Sequence, residues 1–157
     1  MQYTDFLKSK LHTGALSGEG IDLGEINPLL YPFQRFLTNW AILKGRCALF
    51  CDCGLGKTPM QLAWAEYITR RENKPVLILT PLAVSAQTIR EGEKFGIECH
   101  RSVNGTISKG INISNYERLH LFDSKDFVAV VCDESSILKN FNGVRKAAIT
   151  EFMRQVP

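Results

Sequence analysis

Arg46-Cys47-Ala48-Leu49-Phe50-Cys51-Asp52-Cys53-Gly54-Leu55-Gly56-Lys57-Thr58 is the stretch from which the rest of the chain is read. Residues 46–51 carry the apolar run Cys47-Ala48-Leu49-Phe50 and predict a buried strand. A glycine-containing turn follows, and residues 57–71 predict a long helix. From Cys51 to Thr58 the spacing is that of a phosphate-binding loop, with Cys51 standing where the general pattern has its first glycine. Gly54 and Gly56 let the backbone wrap an anion closely, so that successive N–H groups and the positive end of the helix face it. Lys57 would reach the β and γ phosphates, and the Thr58 hydroxyl would ligate Mg²⁺. The expected ligands are therefore ATP and Mg²⁺, held by Gly54, Leu55, Gly56, Lys57 and Thr58. The bland alternative is a glycine turn that happens to precede Lys-Thr. A strand running in and a helix running out argue against it.

Further along, the apolar run at 127–132 predicts a strand that ends in Asp133-Glu134. Two carboxylates there lie at the carboxyl edge of a sheet, where a phosphate loop also lies. Asp133 would hold Mg²⁺ through its water shell, and Glu134 would orient and deprotonate the water attacking the γ phosphate. Without the loop, the same pair would read as an acidic helix cap.

The remaining pattern alternates. Residues 76–80, 97–100 and 111–114 predict strands, while a helix from Pro32 to about Gly45 and helices at 84–95 and 142–155 are predicted between and around them, with a helical turn or two at 116–122. Strands that are apolar throughout, separated by helices, indicate a doubly wound α/β domain with a mainly parallel sheet covered on both faces. Residues 1–30 read as a lead-in, with a short helix at 3–11 and then several glycines, and residues 31–157 as the domain itself.

Bulk properties narrow the class. The chain has 157 residues, 45% of them hydrophobic and 22% charged, which suits one globular domain and excludes disordered and fibrous classes. No apolar run approaches the ~20 residues of a membrane span, and the start lacks the apolar core of a secretory signal, so no membrane partner is expected and the cytoplasm is the default. A net charge of +3 permits a basic face without demanding a polyanionic partner. Cys47, Cys51, Cys53, Cys99 and Cys132 are odd in number and sit in apolar segments, which reads as reduced core thiols. One residue between Cys51 and Cys53 is tighter than zinc-site spacing, and no His is near.

With these residues in hand, the chain resembles the first RecA-like domain of superfamily two helicases, and most closely the Swi/Snf-type translocases often encoded by phages and prophages. Leu30-Tyr31-Pro32-Phe33-Gln34-Arg35-Phe36 is similar to the family's Q-motif, which implies that Gln34 recognises the adenine edge and that Tyr31 is the aromatic beside the base. Thr80-Pro81-Leu82-Ala83-Val84 and Ile113-Ser114-Asn115-Tyr116-Glu117 resemble motifs that contact a nucleic-acid strand, which implies Thr80, Pro81, Asn115 and Tyr116 as DNA contacts. Arg90 and Lys94 follow at helical spacing, consistent with a phosphate-facing side, although Glu91 and Glu93 equally fit a solvated face. Asp133-Glu134-Ser135-Ser136-Ile137-Leu138-Lys139-Asn140 resembles the Asp-Glu-Ala-His box with a Leu-Lys-Asn extension. Ser136 stands where the family has a histidine that links nucleotide state to later motifs.

The resemblance implies a DNA-dependent ATP hydrolase, a helicase or translocase, built from two RecA-like domains with ATP between them. The second domain supplies arginines to the hydrolytic site. On this reading the domain is truncated, as a fragment of a longer product or, alternatively, as a shortened protein that closes the gap by a different strand order. A further strand, commonly inserted between the phosphate-loop strand and the acidic-pair strand, is expected from beyond residue 157, and the isolated piece is expected to hydrolyse ATP poorly. The competing readings are a non-catalytic ATP-binding regulatory module and the motor subunit of a restriction system.

Overall fold

A computed structural model describes residues 21–139 and 143–156, so the predicted helix at 3–11 and Asn140 lie outside the described residues. Four α-helices are described: α1 (Pro32–Lys44), α2 (Lys57–Glu72), α3 (Ser85–Lys94) and α4 (Gly143–Gln155). The strands are β1 (Val76–Thr80), β2 (Cys99–Arg101), β3 (Ile111–Asn115) and β4 (Ala129–Cys132). They form one parallel sheet in the order β2-β3-β1-β4.

Local chemistry explains the boundaries. Pro32 opens α1, where its missing N–H costs nothing, and the Gln34 side chain accepts the Tyr31 N–H at 2.9 Å, which ties down the incoming chain. α2 starts after Gly56 and ends at Asn73, whose left-handed backbone (φ 49°) stops the helix. The Asn115 side chain accepts the Arg118 N–H at 3.1 Å and turns the end of β3 into the 3₁₀ helix Tyr116–Leu121.

Strand residues alternate between two cores. Val76, Ile78, Ile111 and Ile113 pack on one face with Met60, Leu62, Ala63 and Ala65 of α2. Leu77 and Leu79 point to the other face, against Tyr116, Leu119, Phe127 and, from α4, Ile149 and Phe152. β1 lies between β3 and β4 and is buried along its whole length. This is the two-faced burial that a near-continuous apolar run dictates. Ile26 and Leu30, placed by the sequence in the lead-in, belong to the first core at 1% and 3% exposure. The Asn27 side chain donates to the Phe95 carbonyl at 2.8 Å and holds that segment in place.

Two expectations fail. Residues 46–50 form no strand, and Phe50 is 93% exposed. The sequence reading places another strand between this segment and β4, and among the described residues no segment fills that position. The 46–50 backbone therefore has no ladder to join, and its polar groups stay with solvent. The Arg46 guanidinium instead donates to the carbonyls of Met153 (3.3 Å) and Val156 (2.5 Å), fastening the segment to the end of α4. The thiols follow suit. Cys47 and Cys53 are exposed rather than core, Cys47 because its segment does not enter the sheet and Cys53 because it lies in the glycine turn that follows.

Candidate functional site

The carboxyl ends of three strands share one edge. Thr80 pairs in register with Asn115, and Leu79 with Cys132, so β1, β3 and β4 deliver Thr80, Asn115 and Asp133 side by side. The Asp133 N–H donates to the Leu79 carbonyl at 2.9 Å and carries the ladder one residue past β4. α2 reaches the same edge. It ends at Glu72 only a short turn before β1 begins at Val76, so its final turn lies at the amino edge of the sheet. Sixteen residues at ~1.5 Å each carry its start about 24 Å away, to the carboxyl edge. The loop at 51–58 and the acidic pair are thereby brought to one side of the molecule.

Within the loop, Gly54 (φ 81°) and Gly56 (φ 74°) both hold left-handed backbone that other residues rarely adopt. No side chain caps the first turn of α2, which leaves its leading N–H groups for another acceptor. The Lys57 ammonium folds back across the loop and donates to the carbonyls of Cys51 (2.9 Å) and Asp52 (3.2 Å). These are exchangeable partners, since a bound anion offers an ammonium a stronger acceptor than a neutral carbonyl does. The cradle fits a phosphate on these grounds.

Gln34 is 5% exposed and joins the same cluster. Besides accepting from the Tyr31 N–H, it donates from Nε2 to the Leu55 carbonyl at 3.1 Å. A Cβ built on Gly56 would lie 2.2 Å from that Nε2, so a larger residue has no room there. Tyr31 is 69% exposed and stacks on Phe33 with ring centroids 6.3 Å apart, presenting a flat apolar surface beside Gln34.

At the acidic pair, Asp133 is half-buried and Glu134 exposed. Glu134 takes φ 50°, a left-handed conformation that is costly for a side chain with a Cβ. The Ser136 hydroxyl donates to the Glu134 carboxylate. The phenol of Tyr116 donates to the Asp133 carbonyl at 2.7 Å. Burial, with Cys132, Asp133 and Glu134 nearby, pushes the Tyr116 phenol well above its ordinary range, so it remains a protonated donor.

The residues expected at DNA divide into two groups. Thr80, Asn115 and Tyr116 turn inward. Thr80 is fully buried, sharing a 2.9 Å hydrogen bond with the Ser85 hydroxyl. Pro81 is half-buried and Arg90 exposed, while Lys94 leans over the Phe95 ring and pairs with Glu91 at 3.9 Å. Sequence reasoning missed the bonds from Tyr116 to Asp133 and from Gln34 to Leu55, since neither pair is close in sequence or shares a motif.

This architecture has solved counterparts. The UvsW helicase from bacteriophage T4 superposes on 99% of the chain with a TM-score of 0.67 at 13% identity. In sequence, 137 residues, 80% of the chain, are 28% identical to a Bos taurus protein, the SWI/SNF-related matrix-associated actin-dependent regulator of chromatin subfamily A-like protein 1. The chain has a RecA-like helicase fold. The RecA-like domain spans 57% of the phage helicase chain and 14% of the bovine relative. No protein-family model matches it. Among the described residues of the RecA-like domain, no helix is long and apolar enough to cross a membrane.

Proposed function

We propose that this RecA-like domain binds Mg-ATP in the loop at 51–58 and serves as one half of a two-domain motor that couples ATP hydrolysis to movement on DNA. The observation that carries the reading is the uncapped start of α2. It is preceded by two left-handed glycines and crossed by Lys57, at the sheet edge where Asp133 and Glu134 emerge. Kinship with helicase-type proteins in sequence and fold supports it.

Bound Mg-ATP would supply a γ phosphate activated by the metal for transfer to water. The chain's own residues do the rest. Gly54, Leu55 and Gly56 offer backbone N–H groups to the phosphates, and Lys57 leaves the carbonyls of Cys51 and Asp52 to neutralise them. Thr58 and Asp133 hold the metal, and Glu134 accepts the proton of the attacking water. Gln34 retains one N–H and one lone pair beyond its two protein bonds for the adenine edge, and the Tyr31–Phe33 surface packs on the base. Because the side chains of Thr80, Asn115 and Tyr116 face inward, DNA contact falls to the surface around Pro81 and Arg90 and to backbone groups at the turns.

Fluorescence anisotropy of labelled single- and double-stranded DNA, titrated at several salt concentrations with and without Mg-ATP, tests the motor half of the proposal. Salt-sensitive binding that changes with nucleotide and weakens in Arg90→Ala is expected. Absence of DNA binding at low salt in both nucleotide states would contradict it.

A further inference from the structure

The acidic pair emerges into a backbone conformation that needs an anchor. Glu134 is one of only two non-glycine residues with positive φ among the described residues; the other, Asn73, is of a type that tolerates it at a helix end. Glu134 is exposed, so packing does not force its conformation. What grips the turn is the peptide just before it. The Asp133 N–H is held by the Leu79 carbonyl, and the Asp133 C=O by the Tyr116 phenol at 2.7 Å. Fixing that carbonyl fixes the plane of the 133–134 peptide, and with it the N–Cα axis from which the Glu134 side chain departs.

Tyr116 is well placed to be rigid. It is 4% exposed, and its ring belongs to the same core as Leu79, Leu119 and Phe127. It also directly follows Asn115, the last residue of β3, and begins the 3₁₀ helix Tyr116–Leu121. One side chain therefore joins the segment at 115–121 to the acidic turn.

We propose that Tyr116 is a positioning residue for the acidic pair, its hydroxyl holding the 133–134 peptide so that Glu134 and Asp133 face the phosphate loop. This rests on the ATP reading of the loop. The hydroxyl neither gains nor loses its proton; it donates one hydrogen bond to a backbone oxygen.

The test removes one oxygen and keeps the ring. In Tyr116→Phe, a fluorescent ATP analogue titrated without Mg²⁺ should bind as in the wild type, while the tightening produced by Mg²⁺ should shrink by about fivefold, the effect of roughly one hydrogen bond. The Asp133 carbonyl ¹³C resonance should move, reporting loss of the bond whether or not nucleotide is bound. Leu119→Ala, which loosens the same core without touching the bond, should leave both readouts at wild-type values. An unchanged Mg²⁺ effect or an unmoved carbonyl resonance in Tyr116→Phe would overturn the proposal, as would equal losses in Leu119→Ala. A wild-type chain that binds no nucleotide refutes the ATP reading instead, and the carbonyl resonance then decides the tether alone.

Discussion

Substituting Gly56 by alanine asks whether the loop's shape is what a phosphate needs. Two costs are visible. At φ 74° and ψ 47° a residue with a Cβ carries about 1–2 kcal/mol of left-handed strain. The new Cβ would also lie 2.2 Å from Gln34 Nε2, so the amide must swing away and lose its bond to the Leu55 carbonyl, about 1 kcal/mol more. Together, ~2–3 kcal/mol against the binding-competent loop lowers apparent nucleotide affinity by roughly 30- to 150-fold. Gly54 provides the comparison. It has the same backbone demand, φ 81°, but its Cβ would meet nothing, so Gly54→Ala should cost only the strain, roughly 5- to 30-fold. Competition titration against a fluorescent ATP analogue in Mg²⁺ reads both, with thermal melting to confirm that the fold persists. In a Gln34→Ala background the Gly56→Ala penalty should fall to that of Gly54→Ala, since the clash is gone. Gly56→Ala binding as tightly as Gly54→Ala, or an undiminished penalty in the Gln34→Ala background, would show that the Gly56–Gln34 approach does not shape the loop.

Other consequences are more direct. Ile78→Ala empties a fully buried position on the central strand and should lower stability by about 2–5 kcal/mol, read as a shifted midpoint in urea with an unchanged slope. Burial pushes the thiols of Cys99 and Cys132 up to about 11, from 9.0. The unfolded thiols ionise first, so this stability is fully present below about pH 9 and is lost as the pH rises through about 11. Denaturation at about pH 8 and about pH 11 should show the loss, and Cys132→Val should reduce it. Glu134→Gln should leave Mg-ATP binding near wild type, because the residue is proposed to act on water rather than on phosphate. Any turnover, measured as released phosphate in the presence of DNA, should disappear.

The fold was legible wherever one periodicity dominated. Val76–Thr80 and Lys57–Glu72 appear within a residue of expectation, because an all-apolar run and an apolar helical stripe each admit one solution. The run at 47–50 is as apolar, yet it is not a strand. A strand is made by its neighbours, and none is beside it among the described residues. Ile26 and Leu30 went unread as core because a few apolar residues around Asn27-Pro28 carry no period, and the bonds from Asn27 to Phe95 and from Arg70 to Glu25 that hold the segment join residues far apart in sequence. At the site, the residue types were readable but their partners were not. Gln34 is legible as a motif residue, but not as a donor to Leu55. Tyr116 is legible beside Asn115, but not as the group that grips Asp133. Such pairs form only when the fold brings distant segments together.

Whether the loop at 51–58 holds nucleotide is decided by isothermal titration of Mg-ATP into the wild-type chain and into Lys57→Ala. Saturable one-to-one binding is expected in the wild type, abolished in Lys57→Ala while its melting temperature holds. Binding of equal strength in both proteins, or none in the wild type, would contradict nucleotide binding at this loop.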